Sequence, residues 1–210
     1  MTQKPNYQKE LEAKLAQFGT EGRVPRLLLH ACCAPCSSYV LEYLSDYFDI
    51  TLFYYNPNIS LESEYRKRVD EVRRLVSELP ARYPVNLIEG EYDPEAFAAA
   101  VKGLEQEPEG GARCSRCFGL RLERAAAEAA RMAEKYNTGI LLTTTLTISP
   151  LKNAGLLNRI GAEAASHYDR VTWLDSDFKK RGGYQRSIEL SAQYGLYRQN
   201  YCGCKYSQKQ

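Results

Sequence analysis

A single-domain α/β fold, a parallel sheet with helices on both faces, is what this sequence predicts, and three features predict it. Short apolar runs alternate with helical patterns long enough to carry the chain back across a sheet, the βα rhythm of parallel strands. The 210 residues suffice for one hydrophobic core and are short for two independent ones. The least ordinary residues follow directly on the ends of the apolar runs, where open parallel sheets gather their ligand sites.

The elements follow in order. Tyr7 to Phe18 has loose helical periodicity that Gly22 ends. Leu27, Leu28 and Leu29 read as a short buried strand running through His30 into Ala31-Cys32-Cys33-Ala34-Pro35-Cys36. Pro35 and the two serines after Cys36 open a helix over 37–47. Ile50 to Tyr55 is the next strand, stopped by Asn56-Pro57-Asn58. Ser60 to Leu79 is a helix with a heavily charged face, and Val85 to Ile88 a third strand. A short helix holds Phe97 to Val101, and Gly103 to Arg113 is a polar, glycine-rich loop of the kind that lies over sites. Cys114 and Cys117 begin a helix that is strong from Gly119 to Tyr136. Ile140 to Leu142 start a strand that ends in a run of threonines. Leu151 to Ala165 is helical, Val171 to Leu174 a strand, Asp175 to Tyr184 a loop and Arg186 to Tyr194 a last helix, followed by an irregular tail. Neither a dinucleotide fingerprint nor a P-loop follows the first strand.

Composition narrows the function classes. Charged residues make up 26% with a net charge of +2, which argues against a DNA-coating protein but leaves room for a local RNA-binding patch. No stretch is apolar enough to span a bilayer, and the N-terminus lacks a signal-peptide core, so a cytoplasmic protein with no membrane partner is expected.

Seven cysteines fall into three tight groups: Cys32, Cys33 and Cys36; Cys114 and Cys117; Cys202 and Cys204. Isolated buried thiols account for one or two such residues and not for clusters, so metal ligation or thiol redox chemistry is expected. Four thiolates drawn from a local and a distant group suit an iron–sulfur cluster, and structural zinc equally. Two adjacent cysteines are an unusual zinc arrangement. The Cys114-Ser-Arg-Cys117 pair at a helix start also suits a dithiol, and Cys202-Gly203-Cys204 suits either a strained disulfide or spare thiols.

Further candidates surround these groups. His30 adjoins the first cysteines as a possible proton donor or ligand, whereas His167 has no such neighbour. Glu64, Tyr65 and Arg68 share a helix face soon after Asn56 and Asn58 and offer a polar ligand three kinds of partner. Lys179, Lys180 and Arg181, followed by Tyr184, Arg186, Tyr197, Arg198 and Tyr201, interleave rings and cations as nucleic-acid sites do.

These stretches together resemble the cobalamin-independent epoxyqueuosine reductases of the QueH family. The resemblance lies in His30 to Cys36, Phe53 to Ile59 with Glu64, Tyr65 and Arg68, Cys114 to Cys117, Thr143 to Asn153, Phe178 to Tyr184 and Tyr194 to Cys204. The chain departs from the family pattern where Ser60 stands for proline and Leu151 for histidine. The resemblance implies a nucleotide-hydrolase-like, Rossmann-like core and removal of the epoxide oxygen from epoxyqueuosine in tRNA, with electrons from a donor the sequence does not identify. It implies a 4Fe-4S cluster, assigned to Cys32, Cys33, Cys114 and Cys117, and a second mononuclear metal, iron or zinc, or a redox relay, for Cys36. Cys202 and Cys204 are expected as a redox pair and His30 as a catalytic residue. Asn56, Asn58, Glu64, Tyr65, Arg68, Thr144, Lys179, Arg181, Tyr184 and Arg186 are expected to bind substrate. Residues 1–25 then form a lead-in, 26–174 the metal-binding core, and 175–210 a substrate-binding and redox extension packed on it. A zinc-stabilised RNA-binding module and a thiol–disulfide oxidoreductase are the alternatives.

Overall fold

Arg26–Ala31, the strand β1, is apolar on both sides and so requires cover on both faces. A computed structural model of the chain, describing residues 5–208, supplies that cover. Met1 to Lys4, Lys209 and Gln210, which fall in the expected lead-in and extension, lie outside the described residues. β1 is the central strand of a five-stranded sheet with β2 (Asp49–Tyr54), β3 (Asn86–Glu89), β4 (Ile140–Thr144) and β5 (Val171–Trp173). The order is β3-β2-β1-β4-β5 and every pairing is parallel, the α/β architecture expected.

The period of two along β1 sorts its leucines between two cores. Leu27 and Leu29 pack with Leu11 and Leu15 of α1 (Tyr7–Thr20), Val40 and Leu44 of α2 (Ala34–Leu44), and Val72 and Leu75 of α3 (Glu62–Glu78). Leu28 faces the other way, toward Leu122, Ala125 and Ala129 of α5 (Ala112–Tyr136) and Leu157 of α6 (Ala154–Ser166). Each such leucine contributes about 1.5–3 kcal/mol when fully buried. The small α5 side chains bring that long helix close to the sheet. The short helix α4 (Pro94–Ala100) precedes α5, and α7 (Gly183–Gln193) packs on α2.

Two helices begin earlier than their patterns suggest. α2 starts at Ala34 rather than at 37, placing Pro35 in its first turn, and α5 starts at Ala112, two residues ahead of Cys114. Both cysteine motifs are thereby set on helix N-termini. Among the described residues no helix is long and apolar enough to cross a membrane.

The strand order reverses at β1. From there the chain builds outward through β2 to β3 on one side, then crosses back through α4 and α5 to β4 on the other. The loops after β1 and β4 therefore diverge and open a crevice beyond the sheet. Cys32 and Cys33 lead out of β1 into that crevice, and Thr145 leads out of β4.

Candidate metal centre and active site

The first turn of α2 gathers three thiols. The Sγ atoms of Cys32, Cys33 and Cys36 all lie within 4.8 Å of one another, with Cys32 and Cys33 3.8 Å apart. Cys33 is extended and caps α2, which lets two adjacent side chains converge across the strand-to-helix corner. Thr145, at the end of β4, holds Cys32: its hydroxyl accepts the Cys32 N–H at 3.1 Å and donates to Sγ at 3.3 Å. Hydrogen bonds from the Cys33 and Cys36 thiols hold Cys32 well below the ordinary thiol range, and the charges of Lys152 and Arg121 add to this. The bond to Cys32 in turn pushes Cys33 up to about 12, and bonds to both neighbours push Cys36 well above its usual value. The three sulfurs thus share one negative charge at a helix N-terminus, where the backbone dipole favours it.

The other four cysteines meet beside this group. Cys114 lies in the first turn of α5 and its sulfur accepts the Gly110 N–H at 3.2 Å. Cys117 is buried with Phe97, Val101 and Cys204, and burial pushes its thiol up to about 11. The Sγ atoms of Cys202 and Cys204 stand 3.5 Å apart as free thiols. The bond with Cys204, followed by the Ser207 hydroxyl, brings Cys202 down to about 5. An open cavity of about 380 Å³ is lined by Cys32, Cys33, Cys36 and Cys202. A narrower cleft beside it is lined by Cys114, Cys117, Cys202 and Cys204. Arg121, Lys152 and Cys202 line both, so all seven cysteines border one connected region.

Below the thiols lies a buried polar frame that ties the strand ends together. His30 is fully buried; its Nε2–H donates to the Tyr55 carbonyl at 3.1 Å, which leaves Nδ1 to accept from the Thr144 hydroxyl at 2.8 Å. Burial and then the Arg121 charge lower its pKa to about 3, so the ring is neutral at ordinary pH. With both nitrogens engaged, His30 has none free for a metal or a substrate, and it acts as a pin between β1, β2 and β4. Thr144, expected to bind substrate, is buried in the same bridge. Asn56 donates to the Ala31 carbonyl at 2.9 Å and accepts from Arg121 Nη2, tying α5 to the residue before Cys32.

The other expected substrate ligands separate into groups. Asn58 and Arg68 both donate to the Cys202 carbonyl, and Glu64 pairs with Arg68 at 2.7 Å. Tyr65 is buried and its hydroxyl donates to the Gly90 carbonyl at 2.8 Å. None of these four faces the larger cavity. Lys179 pairs with Asp177, Arg181 with Glu12 and Arg186 with Glu42. Tyr184 does line the cavity, together with Arg198 and Tyr201. His167 pairs with Glu123 on the surface.

Two cations that the sequence reading did not single out stand at the centre. Arg121 is 3% exposed, and its Nε is buried without a partner. Lys152 is held charged between Cys32, Cys36 and Cys202 even though burial opposes its charge. Their only sequence signal is proximity: Arg121 lies one helical turn beyond Cys117, and Lys152 closes the stretch after β4. Sulfur donors at two helix N-termini, flanked by the buried Arg121 and the half-buried Lys152, fit an anionic thiolate-held group such as an iron–sulfur cluster or a soft metal ion.

Comparison with known proteins points to one family. A family model described as epoxyqueuosine reductase QueH matches residues 27–210. A Staphylococcus epidermidis protein named epoxyqueuosine reductase QueH is 43% identical over 209 residues, covering 98% of this chain and 85% of that protein. Proteins of the same name from Streptococcus pyogenes and Staphylococcus aureus are each 41% identical, covering 99% of this chain and 80% and 86% of their own lengths. Similarity of this extent, running from β1 through the last cysteine pair, means that the chain belongs to the QueH family of epoxyqueuosine reductases.

Proposed function

We propose that this chain reduces epoxyqueuosine to queuosine at the wobble position of tRNA, removing the epoxide oxygen as water. The observation that carries this reading is the meeting of all seven cysteines with Arg121 and Lys152 at the strand-order reversal, in a chain of a reductase family. Cys32, Cys33, Cys114 and Cys117 hold a 4Fe-4S cluster in this reading, and Cys36 serves a second metal, iron or zinc, or the redox relay. When bound, the cluster supplies electrons at the cavity.

The chain's own residues do the rest. The Lys152 ammonium and the Arg121 guanidinium hydrogen-bond an oxygen that gains negative charge as its carbon–oxygen bond breaks, a role worth most where water is excluded. Tyr184 and Tyr201 line the cavity, and in this reading the modified base stacks on their rings after leaving the anticodon-loop stack. With Lys179, Arg181 and Arg186 paired to carboxylates, the exposed Arg116 and Lys205 beside the thiols are the better phosphate contacts. Cys202 and Cys204 store the two electrons: the Cys202 thiolate and the Cys204 thiol become one disulfide, and the two electrons, with the Cys204 proton and one from solvent, convert the epoxide to an alkene and water. A dithiol reductant then restores the pair.

The test is an anaerobic incubation of the protein with an anticodon stem–loop RNA carrying epoxyqueuosine and a chemical reductant. Mass spectrometry of the nucleosides should show loss of one oxygen from the modified base. An unchanged epoxide with fully metal-loaded protein would overturn the assignment.

A further inference from the structure

The Cys202-Gly203-Cys204 turn does not hang free; the segment after β2 and the first turns of α3 hold it. Asn58 Nδ2 and Arg68 Nη1 converge on the Cys202 carbonyl at 3.2 and 3.1 Å. The next carbonyl, of Gly203, accepts the Ser60 N–H at 3.1 Å, and Ser60 Oγ accepts the Lys205 N–H at 2.9 Å. Arg68 is itself fixed: its Nε donates to Glu64 at 2.8 Å, the Tyr197 hydroxyl donates to the same carboxylate at 3.2 Å, and Tyr201 lies against the guanidinium. Asn58 is 1% and Arg68 2% exposed, so neither meets a substrate from solvent. Gly203 adopts φ +112°, and a Cβ there would stand 2.8 Å from Ile59 Cγ1. The turn is therefore shaped to this seat, and glycine is what lets it close.

We propose that Asn58 and Arg68, with Glu64 behind Arg68, are positioning residues that hold the Cys202-Gly203-Cys204 turn with its two thiols facing each other and Cys202 open to the cysteine-lined cavity. The inference rests on the reading of these two cysteines as the redox pair. An unheld C-x-C turn samples many conformations, and most of them separate the sulfurs. Fixing the Cys202 carbonyl from two sides removes that freedom and keeps Sγ within 3.5 Å of Sγ, a short step from a disulfide bond. Restraint of this kind favours the disulfide over the dithiol. In the redox step the Cys202 thiolate and the Cys204 thiol form the Sγ–Sγ bond, the Cys204 proton leaves, and two electrons pass to the epoxide, whose oxygen takes that proton and one from solvent and departs as water; an external dithiol reverses the bond. Loosening the seat should then disfavour oxidation of the pair and slow turnover without touching the cluster.

The test compares full-length, metal-loaded Asn58→Ala and Arg68→Lys with the wild type. The Cys202–Cys204 thiol–disulfide equilibrium is measured against dithiothreitol by alkylation and mass spectrometry, alongside iron and sulfide content and the kcat and KM for the stem–loop RNA. A shift of roughly tenfold toward the dithiol is expected, about 30 mV for a two-electron couple, with kcat lowered and KM and iron unchanged. An equilibrium constant unchanged in the folded variants would overturn the proposal, because a merely structural contact does not move it. If Arg68→Lys fails to fold, Asn58→Ala decides alone. The redox reading beneath it fails separately, if Cys204→Ser sustains normal multiple turnover.

Discussion

Replacing Arg121 by methionine separates a structural arginine from one that serves the proposed metal site. The guanidinium bridges α5 to Asn56, and Asn56 carries the Ala31 carbonyl at the end of β1, so the position of Cys32 depends on a two-step link. Removing Arg121 strands the buried Asn56 Oδ1, at a cost of about 1–3 kcal/mol. The same change removes a buried charge whose Nε has no partner, which relieves a penalty of similar size. Methionine fills most of the volume with a flexible chain, so the cavity term is small. These effects nearly cancel, and global stability should move by less than about 2 kcal/mol. The site loses more, because one of two cations beside the thiols is gone and Cys32 loses one of its tethers, keeping only Thr145. His30 titrates higher once that charge is absent, but burial, the larger cause, keeps it below its usual value. Urea unfolding paired with iron analysis reads both effects. Near-wild-type stability with most of the iron lost is expected; a loss above about 4 kcal/mol with iron per folded molecule unchanged would refute the reasoning.

Other expectations concern single side chains. Alanine at Cys32, Cys33, Cys114 or Cys117 should each remove most of the iron and the activity, whereas Cys36→Ser should keep the cluster iron and lose turnover; full iron in a Cys114 variant would remove that ligand from the set. Cys202 is held down to about 5, so its thiolate is already formed above that pH. Its alkylation rate in the reduced protein should be flat from about pH 6 upward, while an ordinary thiol keeps gaining through about 8.5; a rate that climbs through pH 8 would contradict the geometry of the pair. Tyr184→Ala should raise KM for the stem–loop RNA about tenfold, consistent with about 1–3 kcal/mol of base stacking, and leave iron content and kcat in place.

What the sequence reveals of this site is local, and what it hides is tertiary. β1 and the cysteines after it are legible because a run of leucines ending in cysteines combines a strand signal with the strand-end rule for ligand sites. The helical spacing of Glu64 and Arg68 is equally legible, but the surface that covers their face is the distant Cys202 turn, which no local pattern reveals. The basic run at Lys179 to Arg186 reads as a phosphate patch because Glu12 and Glu42, which neutralise two of its arginines, belong to α1 and α2. His30 looks reactive beside cysteines, and only the register of β1 against β4 shows its ring bonded to Thr144. Arg121 resembles every other arginine of a charged helix until burial sets it apart.

Iron, acid-labile sulfide and zinc, measured on anaerobically purified protein, bear most directly on the proposed chemistry. About four iron and four sulfide per chain, in brown protein whose colour bleaches on reduction, are expected of a cluster held by cysteines of both groups. Colourless protein holding stoichiometric zinc and no sulfide would contradict it and leave a zinc-stabilised RNA-binding module in its place.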